Sequence, residues 1–284
     1  MVDTNFLKDN LTGSVPVEIS TEILKNIIDQ ASILKVSKRV PMTSDTMTIP
    51  KLTDSGAATW VNEGEAIGTT VPKFAYPQLK AKKLAVIVPV TREKINDSVV
   101  NVMGEVKQAI ADAFATSIDK ACIFGVDSPF STNLISSIGS NKVSTSGKVH
   151  IDISNAMGLV EDNKYNCDNI LMGTAQKKVL RGIFNDNALK DCINLSSAYD
   201  VPIEYVRDWD NTKALAITGD FSKSIIGTRE NMAYEILKEA TITTADNTTI
   251  NLAQQDMIAI KCTMRLAYLV ADDSAFSMVV SASN

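Results

Sequence analysis

Between Thr91 and Phe124 apolar side chains recur every three or four residues. Ile95, Val99, Val102, Met103, Val106, Ile110, Ala113, Phe114, Ala121 and Cys122 fall on one stripe of a helix. Glu93, Lys94, Asp97, Asn101, Glu105, Gln108, Asp112, Thr116 and Asp119 fill the opposite face. The pattern predicts one long amphipathic helix, capped by Thr91 and ended by Gly125. Unbroken, it would span roughly 50 Å, long for a helix in a chain of 284 residues. Asn96, Asp97 and Ser98 are better caps than interior residues, so a short helix from Thr91 to Asn96 can precede the main one. Gly104 is expected to be a tolerated mid-helix glycine.

Upstream, Val17, Ile23, Leu24, Ile27, Ile28, Ala31 and Leu34 follow Pro16 at helical spacing and predict an arm helix, which Pro41 stops. Met47 to Leu52 reads as a strand interrupted by Pro50, and Leu79 to Val90 as a stronger one with Leu84, Val86, Val88 and Val90 on one face. Downstream, a helix over His150 to Asn163, started by Asp152 or Ser154, precedes a buried strand in NCDNILMG. A second helix, capped by Thr174, follows it, and strands are expected at Val201 to Val206 and Ala214 to Ile217. Such alternation predicts an α/β lobe. Glu235 to Glu239, Met257 to Met264, Leu266 to Val270 and FSMVV read as strands.

The two strands before the long helix enclose a stretch rich in Gly, Thr and Pro, and together they form an extended hairpin. A two-stranded ribbon is marginal in water unless something covers it. Nothing else in the chain is an evident cover, so the pattern asks for a neighbouring subunit. Trp60 and Val61, flanked by Glu63 and Glu65, have the composition of an interface anchor with a polar rim.

Composition narrows the chemistry. The chain is 45% hydrophobic and 21% charged, ordinary for a soluble protein. Its net charge of -5 argues against a general nucleic-acid-binding surface, and Lys80, Lys82 and Lys83 form the densest cationic group. No apolar run is long enough for a membrane helix, and no signal pattern opens the chain. Cys122, Cys167, Cys192 and Cys262 fit no zinc or redox spacing and are expected to be reduced thiols. His150 is the one histidine, without a second to build a triad or a metal centre. Gly147 and Lys148 are followed by Val149, so the Walker pattern fails, and adjacent Asp272 and Asp273 are not expected to act as paired acids. No enzyme, no cofactor and no metal site is expected.

Several segments in order carry a resemblance: GSVPVEISTEIL, MTIPKL, ATWVNEGEAI, FAYPQLKAKKLAVIVPVTREKINDS and AFATSIDKACIFG, then VPIEYV, ITGDFSKSIIGTRENMAYEI and IAIKCTMRLAYLVADDSAFSMVV. Together they span Gly13 to Val280, and they resemble the HK97-type major capsid proteins of tailed bacteriophages. The resemblance implies an α+β HK97-like fold: N-terminal arm (1–42), extended β-hairpin loop (43–90), peripheral domain with the spine helix (91–149), axial α/β domain (150–241) and returning peripheral strands (242–284). It implies self-assembly into hexamers and pentamers of an icosahedral shell enclosing double-stranded DNA, in the virion capsid after assembly in the host bacterial cytoplasm. Scaffold, portal and head-completion proteins would be further partners, with non-specific proximity to packaged DNA and no membrane. Trp60, Val61, Glu63, Glu65, Lys73, Arg92, Arg229 and Glu230 are the expected inter-subunit contacts. No covalent crosslink through Lys73 is expected, because no acidic catalyst is evident beside it. Two alternatives stand beside this reading: an encapsulin-like nanocompartment shell enclosing an enzyme cargo, and a cytosolic enzyme without a recognisable motif.

Overall fold

A computed structural model describes residues 17–54, 58–64, 66, 69, 71–93, 102–183, 192–244 and 247–281. The arm forms α1 (Val17–Gln30) and α2 (Ser32–Val36), parted at Ala31, whose extended backbone (φ -79°, ψ 110°) interrupts the helix. Next come β1 (Lys38–Pro41), β2 (Thr46–Thr48), β3 (Lys51–Asp54), β4 (Lys73–Ala75), β5 (Gln78–Lys80) and β6 (Lys82–Thr91). Pro50 falls between β2 and β3, where its missing N–H breaks no ladder.

Thr91 does not cap a helix. It is the last residue of β6, in register with Met257, and helical backbone begins at Arg92 and Glu93. The expected break at Asn96 to Ser98 lies outside the described residues. The long helix, α3 (Val102–Asp119), continues into a π turn (Lys120–Phe124) and ends at Gly125, whose φ of 68° is left-handed. A Cβ there would also meet the Asn133 side chain at 2.4 Å, so only glycine fits. The buried stripe is Ile110, Ala111, Phe114, Ala115, Ile118 and Cys122. Ala113, expected on it, is exposed, and Asp119, expected on the solvent face, is buried because the arm lies over it.

Beyond the helix run α4 (Leu134–Ile138), β7 (Lys142–Ser144), α5 (Val149–Asp162), β8 (Asn169–Gly173), α6 (Lys177–Ile183), β9 (Ser197–Ala198), β10 (Val201–Val206), β11 (Ala216–Gly219), β12 (Ser224–Leu237), β13 (Thr241–Thr243), β14 (Thr249–Asn251), β15 (Met257–Val270) and β16 (Phe276–Val280). Two expected caps differ. Thr174 opens a 3-10 turn ahead of α6 instead of capping it. Asp152 lies inside the first turn of α5 and accepts hydrogen bonds from the Ser146 N–H and from the Ser146 and Thr145 hydroxyls, tying down the preceding loop.

Two larger sheets organise the chain. One has the order β1-β12-β15-β6, with β12, β15 and β6 antiparallel and β1 parallel to β12. The other is mixed, in the order β7-β16-β11-β8-β10-β9. Strand membership crosses the expected ranges at three points. β12, inside 150–241, belongs to the first sheet because it pairs along its length with β15. β7, inside 91–149, and β16, inside 242–284, join the second. All five residues of β16 are buried, which requires a covered position at the middle of a sheet.

A single apolar cluster links the arm (Ile27, Ile33, Leu34), α3 (Ile110, Phe114, Ile118), the first sheet (Ile226, Ile260, Met264) and the second (Leu171, Ile217, Phe276, Met278). A second cluster lies on the other side of the mixed sheet, where α5 and α6 supply Ile153, Met157 and Leu180. Met42, Leu79, Ile225, Ala267 and Leu269 form a small third cluster at the base of the hairpin.

Candidate assembly surfaces

The hairpin is built in two stages. Near its base β2 pairs with β5, and Leu79 is fully buried against the first sheet. Farther out β3 pairs with β4 in the register Leu52↔Phe74, and there both residues are about half exposed. Between the two stages Tyr76 is 64% exposed, and beyond β3 and β4, toward the tip, Val71 is 79% and Trp60 104% exposed, with Val61 also exposed. Covering side chains of this size is worth roughly 1.5–3 kcal/mol each, so a row of them left in water marks a surface that meets a partner. Glu63 is exposed beside Trp60, while Glu65 lies outside the described residues. The Lys73 carbonyl accepts from the Thr53 hydroxyl across the ribbon at 2.9 Å.

Two polar clusters fix how the ribbon leaves the body. Asp272 lies in the turn between β15 and β16, not on a strand, and its carboxylate meets Lys51 Nζ at 2.8 Å. It also accepts from the Tyr165 hydroxyl at 2.7 Å and the Ser274 hydroxyl at 2.7 Å. Burial opposes its ionisation, but the hydrogen bonds from Lys51, Ser274 and Tyr165 outweigh it and hold the carboxyl down to about 2. Burial and the neighbouring carboxylate push Tyr165 up to about 12, so it stays a donor. On the other side Asp45 accepts from Arg229 and, at 3.4 Å, from Arg265.

These pairs bear on three of the residues expected at subunit contacts. Arg229 is engaged by Asp45 of its own chain, and Arg92 by Asp256 at 3.1 Å across the end of the β6–β15 pair. Glu230 sits at a β-bulge of β12, opposite Arg265, with its side chain outside the described set. Trp60, Val61 and Glu63 are grouped on the ribbon, whereas Arg92, Arg229 and Glu230 belong to the first sheet and its margin.

Asp119 was missed as a functional residue. Its two carboxylate oxygens accept from the backbone N–H groups of Ser32 and Ile33, each at 3.0 Å. A side chain 87 residues away thus caps α2, whose own Ncap, Ala31, has no side-chain acceptor. Burial, reinforced by Glu204, raises the Asp119 carboxyl to about 6 against the opposing effect of the two N–H donors. No local signal marked it, because the contact that buries it comes from an arm 87 residues upstream.

A concavity of about 200 Å³ opens beside the C-terminal half of α3. Leu84, Ile118, Phe130 and Leu266 form its floor, Val126 lies at its mouth, and Lys82, Lys83, Lys120 and Asp127 edge it. Lys120 also pairs with Asp208 at 2.6 Å. Among the described residues no group of His, Cys, Asp or Glu is placed to hold a metal ion, and no helix is long and apolar enough to cross a membrane. Cys122 and Cys262 are buried, Cys167 is half-buried and Cys192 is exposed, all as free thiols. His150 lies in the first turn of α5, where its carbonyl accepts from Tyr199.

The sequence matches the model of the phage capsid family over residues 13–281. It is 31% identical over 288 residues to the major capsid protein of Staphylococcus phage 80alpha, covering 99% of this chain and 89% of that protein. Among solved structures, a chain from Microbacterium phage Oxtober96 superposes with a TM-score of 0.75 at 26% identity, covering 89% of this chain and 91% of that one. A chain from Mycobacterium phage Adephagia gives a TM-score of 0.77 at 23% identity over 89% and 90% of the two chains. The capsid of an empty GTA particle, computed with C5 symmetry, gives 0.62 at 18% identity over 88% and 89%.

Proposed function

The chain belongs to the phage capsid family, and from that premise we propose that it works by association alone, as the major capsid protein of a tailed-phage head. It has the HK97-like fold of its structural neighbours and, as a shell subunit, assembles with copies of itself. In our reading the mixed sheet with α5 and α6 is the axial domain, grouped around the axes of hexamers and pentamers. The four-stranded sheet with α3 is the peripheral domain, and the ribbon of β3 and β4 lies over an adjacent copy. One observation carries this reading: a ribbon whose apolar side chains, Trp60 above all, are left exposed among the described residues. Many modest contacts repeated around a closed lattice then give a stable shell.

Trp60, Val61 and Glu63 are the subunit contacts we favour, with Glu65 and Lys73 adjoining them on the loop. Arg92, Arg229 and Glu230 would act as rim groups, their pairing within the chain limiting what they add between subunits. Double-stranded DNA fills the shell without specific recognition, consistent with a net charge of -5. Scaffold, portal and head-completion proteins complete the head, and assembly takes place in the bacterial host cytoplasm. Phage relatives favour this reading over a cargo-filled compartment.

Light scattering and negative-stain microscopy of purified protein over a range of concentration and salt test the proposal. Rings of five or six, or closed shells, are expected, growing with protein concentration. A species that stays monomeric under every condition, with co-expressed scaffold included, would overturn it.

A further inference from the structure

Trp60 is fully exposed among the described residues, and the concavity beside Leu84 has an apolar floor. Size and charge match the two. A cavity of about 150 Å³ suffices to hold a benzene molecule, so about 200 Å³ has room for an indole ring. Lys82 and Lys83 stand at its edge, and Glu63 follows Trp60 by three residues. Lys120 is already engaged by Asp208, and Lys83 pairs with Arg265 on the other face of the sheet, which leaves Lys82 as the cation on this edge for an incoming carboxylate, with Asp127 beside it. Trp is the residue type most often found as the anchor at an interface centre, seated in an apolar pocket inside a ring of polar groups.

We infer that this concavity is the acceptor for Trp60 of a second copy, with Glu63 of that copy set against Lys82. The inference rests on the shell reading above and adds to it a specific seat. In this arrangement the indole covers Leu84, Ile118 and Phe130 while its ring nitrogen faces the polar edge, and the glutamate fixes which way the ribbon enters. Each subunit donates one anchor and offers one seat, a head-to-tail contact that closes into rings.

A disulfide trap tests the seat. Trp60→Cys and Ser117→Cys are combined in a Cys192→Ser parent, since Ser117 lines the concavity and Cys192 is an exposed native thiol. Mild oxidation of assembled particles should give a ladder of covalent oligomers on a non-reducing denaturing gel, absent from either single variant. As a second measurement, Lys82→Glu should raise the protein concentration needed for assembly about tenfold, and adding Glu63→Lys should recover most of that loss, as an electrostatic pair predicts. Particles that form without the ladder, or a charge swap that restores nothing, overturn the seat while leaving the shell reading intact. Lysine labelling at Lys82 that is blocked only in DNA-filled particles would assign the concavity to phosphate contact and also overturn it. Failure of the Cys192→Ser parent itself to form rings or shells would bring down the shell reading and the seat with it.

Discussion

At Asp119 two opposing effects meet on one carboxylate. Burial disfavours its charge, while two backbone N–H groups of α2 favour it, and burial wins, leaving the carboxyl near 6 against 3.8 in the open chain. The folded chain therefore holds this proton more tightly than the unfolded one. Its contribution to stability is complete below about pH 4 and is lost as pH rises through about 6, a swing on the order of 3 kcal/mol. Asp119→Asn removes the titration, so in denaturant melts the native protein should gain on this variant as pH falls from 7.5 to 4; parallel profiles would contradict the assignment. Asp119→Ala leaves two buried N–H donors without an acceptor and should cost about 2 kcal/mol at pH 7.5 and more as pH falls to 4, because it too lacks the titrating carboxyl. Nothing in the local pattern separates Asp119 from the polar residues one and two turns earlier. What buries it is an arm helix 87 residues upstream, and helical periodicity carries no information about that contact.

Among the elements, those set by short-range rules were legible. The spine helix ends at Gly125 because a left-handed residue is needed there. Alternation in β6 matches its burial, and Pro50 divides β2 from β3. Elements set by pairing were less so. Most of β12 gave no alternating signal because bulges between Thr228 and Ala233 shift its register against β15. β15 is one strand and not two, since Arg265 keeps its place opposite Glu230 and Lys83 and continues the ladder. Of the candidate contacts, the ribbon group was legible from an unpartnered hairpin. Arg92 and Arg229 are ion-paired instead through Asp256 and Asp45, acids remote in sequence. The angle of the ribbon depends on Asp272 reaching Lys51, again a distant pair. Asp272→Ala should speed amide exchange in β3 and β4 several-fold while leaving β15 and β8 unchanged. Acid should do the same to the native protein only as pH falls through about 2, because the depressed carboxyl keeps its charge above that.

For the whole molecule, one apolar cluster spans arm, spine and both sheets and ties them into one block, from which the ribbon of β3 and β4 projects. Trp60 is then a reporter of what the block meets. The difference in emission between the native protein and Trp60→Phe isolates this indole from the half-buried Trp209. It should show a water-exposed spectrum in dispersed subunits and move several nanometres to the blue on assembly; an unchanged difference spectrum in assembled particles would mean the tip stays in water. The position of β16 has a consequence in time. It fills the gap between β7 and β11, yet it is translated after every other described strand. Until it emerges from the ribosome β7 has no place in the mixed sheet, one edge of β11 is unpaired, and Phe276 and Met278 are missing from the shared cluster. A nascent chain thus has no finished body to offer its neighbours until β16 is in place, so a subunit competent to join a lattice exists only after this strand has been made.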